Sequence, residues 1–486
     1  MNFLQKTARK MFGAYAATET SPHRRSPTRI LKTTDDLLNR ERRKKGNATL
    51  REEESNCSLL GWIVRKHLDY VSRFEINYRS GNANLDGEVK GLLDWHSRKR
   101  NFDYRSRLSR NQWMAIFERN KAMFGDAFGI MLASGRLQGV DSPQIGKPQY
   151  FETENSLTPR EQDRINQHGL VVSDGGIIEA YCVCYRDKHG KLIFDHLEEP
   201  GNVLHDGYWT EFNQLRAPSP LLPALADVID LSDIKLLAKV NLKLKNVFGM
   251  AILRGDSGEL GMAGGQEDES TGEITGASLV PGQVNILDLD QADKVQMLES
   301  NTPGQNSMEF MKSLTQAVML ALDIPFTSYD SSRASFSARI GDRAEYEESA
   351  EGKREKNAAI LREIYAWRIS DWYNSNDQFR QAADAAGKLP GQIVAGLDII
   401  PAGTPWLDKL NEVKGDILSV ALGLESIPRL ARKRGLDAYS VGKEQAEYLE
   451  WAKANGLPVF YASGGQEAVQ NMLDEETQQG EEDNED

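Results

Sequence analysis

The chain has 486 residues, 40% of them hydrophobic and 27% charged, which is a soluble profile long enough for two or three domains with cores of their own. No run of about 18 apolar residues occurs, so no membrane-crossing helix is expected. The net charge of −13 is uneven: residues 1–110 hold 24 Lys+Arg against 13 Asp+Glu, and the remainder carries a net of −24, which argues against a surface that grips DNA tightly and fits one past which DNA slides.

The N-terminus, MNFLQKTARKMFGAYAA, is basic but lacks the apolar core of a signal peptide. Residues 1–50 carry RRSPTR and RERRKKGN with few apolar residues and read as a basic arm with little structure of its own, either a solvated tail or a contact for nucleic acid or an acidic neighbouring subunit. From Asn56 to Tyr70, Leu59, Leu60, Ile63, Val64 and Leu68 recur at helical spacing, with His67 packed among them and not a ligand. A second helix is expected from Arg110 to Met123, with Trp113, Ile116, Phe117 and Met123 on its apolar side. Phe124 to Phe128 then turn into an apolar run, Gly129 to Ala133.

Residues 170–206 read as a strand meander. Ile178, Ala180, Cys182 and Cys184 alternate onto one face and Tyr181, Val183 and Tyr185 onto the other, with a turn at Asp187–Gly190 before Leu192, Ile193 and Phe194. Period two places both thiols in one sheet face, so with only one further cysteine, Cys57, they are expected as small buried hydrophobes, neither a metal site nor a disulfide framework.

The longest helical pattern of the first half follows. Pro223 suits a first turn, and Leu221, Leu225, Val228, Leu231, Ile234, Leu237, Leu244 and Val247 continue an apolar side to about Phe248. Asp227, Asp230 and Asp233 precede Lys235, Lys239, Lys243 and Lys245, the order that the helix dipole favours. Residues 254–277, rich in Gly, Glu and Ser, read as a loop, flanked by strand-like runs at Gly249–Leu253, Val284–Leu289 and Val295–Leu298. Asn306 with Glu309 announces another helix, with the stripe Phe310, Leu314, Val318 and Leu322 and a stop at Pro325. A small polar loop, Thr327–Ala338, comes next. Residues 339–373 then form a long charged helix with Ile360, Ile364 and Trp367 on one face, Pro390 and Pro401–Pro405 mark a boundary, and the pattern beyond Trp406 is helical again. The last residues, DEETQQGEEDNED, read as a disordered acidic tail. The expected fold class is α+β, mainly helical, in several domains.

Gln214, Arg216, Ser219, Leu221 and Pro223, downstream of Val203-Leu-His205, resemble the pattern Q-x-R-G-x-S-x-L-x-P that leads into the stem helix of lambda-like bacteriophage portal proteins, with Ala217 standing where the family usually has glycine. Ser335-Phe-Ser-Ala-Arg339 resembles the family's tunnel loop with one residue fewer, and Ala421–Ser426 and Arg434–Asp437 resemble its C-terminal signatures. The order helix, insertion, helix, polar loop is the family's order of stem, clip, stem and tunnel loop.

The resemblance implies a ring-forming subunit. Its parts would be a basic N-terminal arm (1–50), the first part of a mixed α/β wing (51–220), stem helix one (221–250), a clip (251–304), stem helix two (305–326), a tunnel loop (327–340), the helical second part of the wing (341–404), a crown (405–470) and an acidic tail (471–486). It implies a homo-oligomer, a dodecamer, at one vertex of a phage or phage-like capsid, assembled in the host cytoplasm. Double-stranded DNA would pass through its channel, and the terminase large subunit, the head–tail adaptor and the major capsid protein would be its partners, with no membrane and no cofactor. Ser331, Ser332, Arg333, Ser335, Phe336, Ser337 and Arg339 are the candidates for a loop near DNA, against the alternative of a solvated interhelical turn. Lys235, Lys239 and Lys243, four residues apart, are candidates for the channel wall or for acidic groups of the next subunit, against a plain solvent face.

No Gly-x-x-x-x-Gly-Lys-Ser/Thr, His-Glu-x-x-His, Gly-x-Ser-x-Gly or paired CxxC occurs, so no catalytic or metal-ligating set is nominated and the chain is not expected to be an enzyme. The competing reading is a DNA-processing nuclease that uses a carboxylate-bound metal, supported only by the abundance of acidic residues.

Overall fold

Helix-forming periodicity dominates, and the computed structural model, which describes residues 31–151, 157–247, 251–253, 294–296, 305–332, 334–403 and 408–457, is mainly helical with small antiparallel sheets. In chain order the principal elements are α1 (Arg40–Asn56), α2 (Ser58–Val71), β1 (Phe74–Tyr78), α3 (Ala83–Ser97), α4 (Arg110–Phe124), β2 (Asp126–Met131), β3 (Leu137–Val140), β4 (Leu170–Val172), β5 (Ile178–Arg186), β6 (Leu192–Glu198) and β7 (Val203–Gly207). There follow α5 (Leu225–Val247), β8 (Ala251–Leu253), β9 (Lys294–Gln296), α6 (Gln305–Leu320), α7 (Phe336–Ser375), α8 (Asp377–Ala385), β10 (Leu397–Pro401), α9 (Lys409–Ala421), α10 (Ile427–Lys433) and α11 (Ala438–Ala454).

The chain divides into two compact units. One takes the residues up to His67 together with Ile116–Leu132 and Leu137–Tyr346; the other takes Leu68–Ala115, Ala133–Arg136 and everything from Glu347 onward. In the first unit β2 is the middle strand between β3 and β7, with Phe128 opposite both Val140 and His205. The meander forms a second sheet in the order β4-β5-β6. Strand alternation sorts its side chains as expected from Ala180 to Cys184, but Ile178, expected on the cysteine face, packs with Tyr181 and Val183 because the register with β4 shifts between Val171 and Val172. Tyr181 and Val183 join Phe128, Ile130 and Val140 in one cluster, while Cys182 and Cys184 join Ile165, Val171 and Phe194 in another. Both thiols are buried, with sulfurs 3.8 Å apart and the Cys184 thiol directed at the Gly146 carbonyl. The Asp187 carboxylate accepts from the His189 and Lys191 amides to make the expected turn, with Gly190 at positive φ.

Helix α6 packs on α5, burying Leu314 and Val318, with Val228 and Leu231 buried on α5. Phe310, expected on the same apolar stripe, is 55% exposed, because the stripe is buried only in the later turns of the helix. Asn306 is the second residue of α6 and not its cap. Helix α5 begins at Leu225, so Pro223 lies in the turn before the helix and not inside its first turn. Strands β8 and β9 pair antiparallel, Ile252 opposite Val295. The rest of the insertion, including residues 254–277 and Val284–Leu289, lies outside the described residues, as do residues 1–30 and the acidic tail.

The segment RERRKKGN is helical, not a loosely structured arm. Asn39 caps α1, and the buried Arg43 guanidinium donates to the carbonyls of Arg216 and Ala217 at 3.1 and 2.8 Å. Leu50 is fully buried and Glu54 ion-pairs with Arg119. Tertiary contacts therefore hold a helix whose own sequence offers little apolar surface.

In the second unit β1 pairs antiparallel with β10, Ile76 opposite Ile399. Of the boundary expected at Pro390 and Pro401–Pro405, Pro390 opens a short helix, Pro401 ends β10, and Pro405 lies outside the described residues. Helix α7 buries Leu361, Ile364, Tyr365, Ile369 and Trp372. Buried His96 sits at the centre, its Nε2 donating to the Gly135 carbonyl at 3.2 Å and its ring against Phe102, Tyr365 and Trp372. Burial, with Arg368 nearby, pushes its pKa down to about 3, so the ring is neutral. Ser426 and Asp437 cap α10 and α11, and Gly423 and Gly435 take positive φ after α9 and α10, so the C-terminal signatures are helix punctuation.

Candidate functional site

The stem pattern occupies the turn between β7 and α5, where every polar member is spent on holding the chain. Gln214 accepts from the Thr210 amide at 2.9 Å and donates to the Arg216 carbonyl at 3.1 Å. Ser219 donates to the Ala122 carbonyl at 2.7 Å and accepts from the Leu221 amide. Leu221 is buried. Arg216 is fully buried, and its guanidinium uses every nitrogen: Nε and Nη2 reach the two oxygens of Asp126 at 2.5 and 3.0 Å, and Nη1 reaches the Ile145 and His168 carbonyls at 2.9 Å. Nη2 also reaches the carbonyl and hydroxyl of Ser142. Burial alone would raise the pKa of Asp126, but Arg216 holds it well below the usual carboxylate range.

Ala217 is buried without positive φ, and the close approach is taken up opposite it. A Cβ at Gly125, whose φ is +99°, would stand 2.2 Å from the Ala217 carbonyl oxygen, and one at Gly207 would stand 2.7 Å from the Ala217 Cβ. A glycine at 217 is therefore not required here.

Beside this anchor lies a second buried ionic group. Glu118 accepts from His67 Nε2 at 2.9 Å and from the Tyr208 hydroxyl at 2.7 Å, and Lys121 bridges it to Asp206 at 2.8 Å on each side. Burial would raise the Glu118 pKa; Lys121 and His67 hold it well below the carboxylate range. Both depressed carboxylates add stability that is complete above the unfolded-chain pKa of about 4 and is lost as pH falls through the folded values. Denaturant midpoints are therefore expected to fall between about pH 5 and pH 3. A flat profile there would contradict these two ion pairs.

The stem lysines stand on α5, Lys235 half-buried and Lys239 and Lys243 exposed, with no ion-pair partner among the described residues. The same helix exposes Leu236, Leu237 and Val240. Of the loop candidates, Ser331 and Ser332 are exposed, the Ser332 amide donating to Asp330 at 3.0 Å. Arg333 lies outside the described residues. Ser335 accepts from the Ala338 amide at 3.2 Å, which starts α7 at Phe336. Phe336, Ser337 and Arg339 are thus exposed side chains of a helical first turn and not of a loop, a correction caused by that serine cap. No hydrogen bond or ion pair joins these residues to the lysine row among the described residues. The sequence pattern did not single out Asp126, Glu118 and Lys121; a Gly-Asp at the end of a helix was the one local signal for Asp126.

A family model described as "Phage portal protein, lambda family" matches residues 60–351. The chain belongs to the lambda family of phage portal proteins. It is a portal protein of a phage-like capsid. No curated protein matches it. Three solved structures are similar at low identity. The virion of a native gene transfer agent (GTA) particle shares 12% identity over 84% of this chain and 95% of that chain, with a TM-score of 0.41. The neck of an empty GTA particle computed with C6 symmetry shares 13% over 84% and 95%, with a TM-score of 0.42. The neck of a native GTA particle computed with C12 symmetry shares 13% over 82% and 99%, with a TM-score of 0.40. The nuclease reading of this portal chain finds no support in the family match, and among the described residues no three His, Cys, Asp or Glu side chains are grouped to hold a metal.

Proposed function

We propose that copies of this portal chain close into a dodecameric ring at one capsid vertex, assembled in the host cytoplasm, and that double-stranded DNA enters and later leaves through its channel. In this reading α5 and α6 are the stem. The segment between them is the clip, which meets the terminase large subunit and then the head–tail adaptor. Residues 327–340, including the first turn of α7, stand near the DNA; α9 to α11 form the crown, and the wing faces the major capsid protein. The chain is structural, and ATP hydrolysis belongs to the terminase.

The observation that carries the reading is apolar surface that the single chain leaves open. Leu236 and Leu237 on α5, Phe310 on α6, Leu422 and Leu424 after α9, and Trp451 on α11 are each more than half exposed. Large side chains grouped on helices in this way mark interfaces, and further copies of one chain meet them most simply in closed rotational symmetry.

Averaged electron micrographs of the purified chain are expected to show rings with a central hole. A monomer or dimer that nicks DNA with a divalent metal would overturn the proposal in favour of the nuclease. Within the ring, neutralising Lys235, Lys239 and Lys243 to alanine is expected to lower DNA retention in packaged particles without changing assembly. Unchanged retention would make the lysine row a solvent face only.

A further inference from the structure

The first unit contains a cavity of about 370 Å³ between α1 and the two sheets, within the size range of small-molecule sites. Its walls carry Arg40, Arg43, Lys44, Arg51, Lys147 and Arg186, with Arg216 at the back, and no Asp or Glu lines it. Two carboxylates act on its wall from behind: Asp126 is shared between Arg216 and Ser142, and Asp35 accepts from the Leu215 amide. Arg40 and Arg186 spend donors on backbone carbonyls, whereas Lys44, Arg51 and Lys147 have no ion-pair partner among the described residues. Positive charge therefore exceeds negative charge around the cavity, where Asp35 and Asp126 are the carboxylates that act on Arg43 and His168. Burial, followed by repulsion from Arg216, pushes the Arg43 pKa down to about 10 against the opposing pull of Asp126 and Asp35.

A second and independent observation lies in the cavity wall. Arg43, Asn47 and His168 are each more than nine-tenths buried, and Arg43 Nε, Asn47 Oδ1 and His168 Nδ1 have no hydrogen-bond partner among the described residues, nor has Oδ1 of the nearby Asp35. His168 Nε2 faces the Gln167 amide at 3.2 Å, which places the ring proton on Nδ1 and makes that atom a donor. Buried polar atoms left without partners cost about 1–3 kcal/mol each, so two donors and one acceptor together at one cavity point to a missing ligand. A hydrogen phosphate answers all three: its oxygens accept from Arg43 and His168, and its own proton is offered to the Asn47 carbonyl.

We infer that this cavity binds a phosphate-type oxyanion, carried either by a free di- or polyphosphate or by a small phosphorylated molecule. The guanidinium and imidazole hold the phosphate at the back, and Lys44 and Lys147 close on it at the rim. A DNA duplex carries its phosphates on a convex surface, so it reaches the rim lysines but not the buried atoms. The site is separate from the proposed DNA channel and does not depend on it.

The test uses the full chain, with inorganic pyrophosphate as the probe and sodium chloride at matched ionic strength as the control. Pyrophosphate is expected to raise the unfolding midpoint and to protect the amides of residues 40–51 and 142–149 from hydrogen exchange. Tripolyphosphate and a nucleoside diphosphate are the arms that separate a free polyphosphate from a phosphorylated small molecule. The rim variant Lys44→Ala/Lys147→Ala, which leaves every buried contact in place, is expected to bind pyrophosphate at least about tenfold more weakly. His168→Phe, which keeps a buried ring but removes the donor, is expected to weaken binding by a similar factor. The inference is overturned if chloride gives the same shift, if the rim variant binds as tightly as the parent, or if a duplex oligonucleotide or an acidic peptide protects the chain while pyrophosphate does not.

Discussion

An Arg216→Met chain is expected to lose about 3–5 kcal/mol of stability, the usual consequence of removing one partner from a buried ion pair. Arg216 answers Asp126 with two nitrogens and reaches four further acceptors in two separated segments, Ser142–Ile145 and His168, so its loss leaves a carboxylate without its cation and takes a donor from three carbonyls. Lysine is not a substitute, because a single ammonium cannot reproduce the planar fork. Denaturant unfolding at fixed protein concentration measures the effect. The paired change Asp126→Leu with Arg216→Met is expected to recover most of the loss, since an apolar pair of similar volume is often neutral relative to a buried ion pair. A single-variant loss under about 1 kcal/mol would show that water reaches the pair and screens it. The same substitution frees the turn that sets the start of α5, so ring formation is expected to fail before the subunit's helical content does.

Gly125→Ala is expected to be comparably severe, and for a different reason. Two costs fall on one atom: a φ of +99° that side-chain-bearing residues rarely adopt, and a Cβ placed 2.2 Å from the Ala217 carbonyl oxygen. Gly176→Ala separates them, because Gly176 has a φ of +81° and nothing within 4 Å of its Cβ. That control is expected to cost about 1–2 kcal/mol, the backbone preference alone. The excess of the Gly125 variant over it measures how tightly the turn before α5 is pressed against the end of α4. Equal losses in the two variants would mean that the turn moves aside freely.

Elements whose signal is local were legible in the sequence. The meander at 170–206, the sharing of one face by Cys182 and Cys184, and helices α4, α5 and α6 all follow from period two or period 3.6. The family pattern was legible too, but its physical meaning was not. Gln214, Arg216 and Ser219 read as a lead-in to a helix, and their partners lie far off in sequence: Asp126 is 90 residues from Arg216 and Ala122 is 97 from Ser219. Helix α1 was missed for the same reason, since the bonds that hold Arg43 reach carbonyls 173 and 174 residues away. Phe310 shows the opposite failure. Its spacing was right, but periodicity states that a stripe exists and not how much of it the same chain covers. Phe336, Ser337 and Arg339 turned on which of several serines caps a helix, a choice that composition leaves open among Ser331, Ser332, Ser335 and Ser337.

The pairing of β1 with β10 joins two strands more than three hundred residues apart along the chain. At a synthesis rate of 5–20 residues per second, β1 leaves the ribosome roughly 15–65 s before its partner exists. For that interval its edge hydrogen bonds are open and Phe74, Ile76 and Tyr78, all buried in the finished fold, lack their cover. The two three-stranded sheets of the first unit close by Gly207 and are free to fold during the wait. Completion of the chain's fold is thus timed by its last quarter, and a nascent chain halted before Leu397 is left with an unpaired strand and an unfinished second unit.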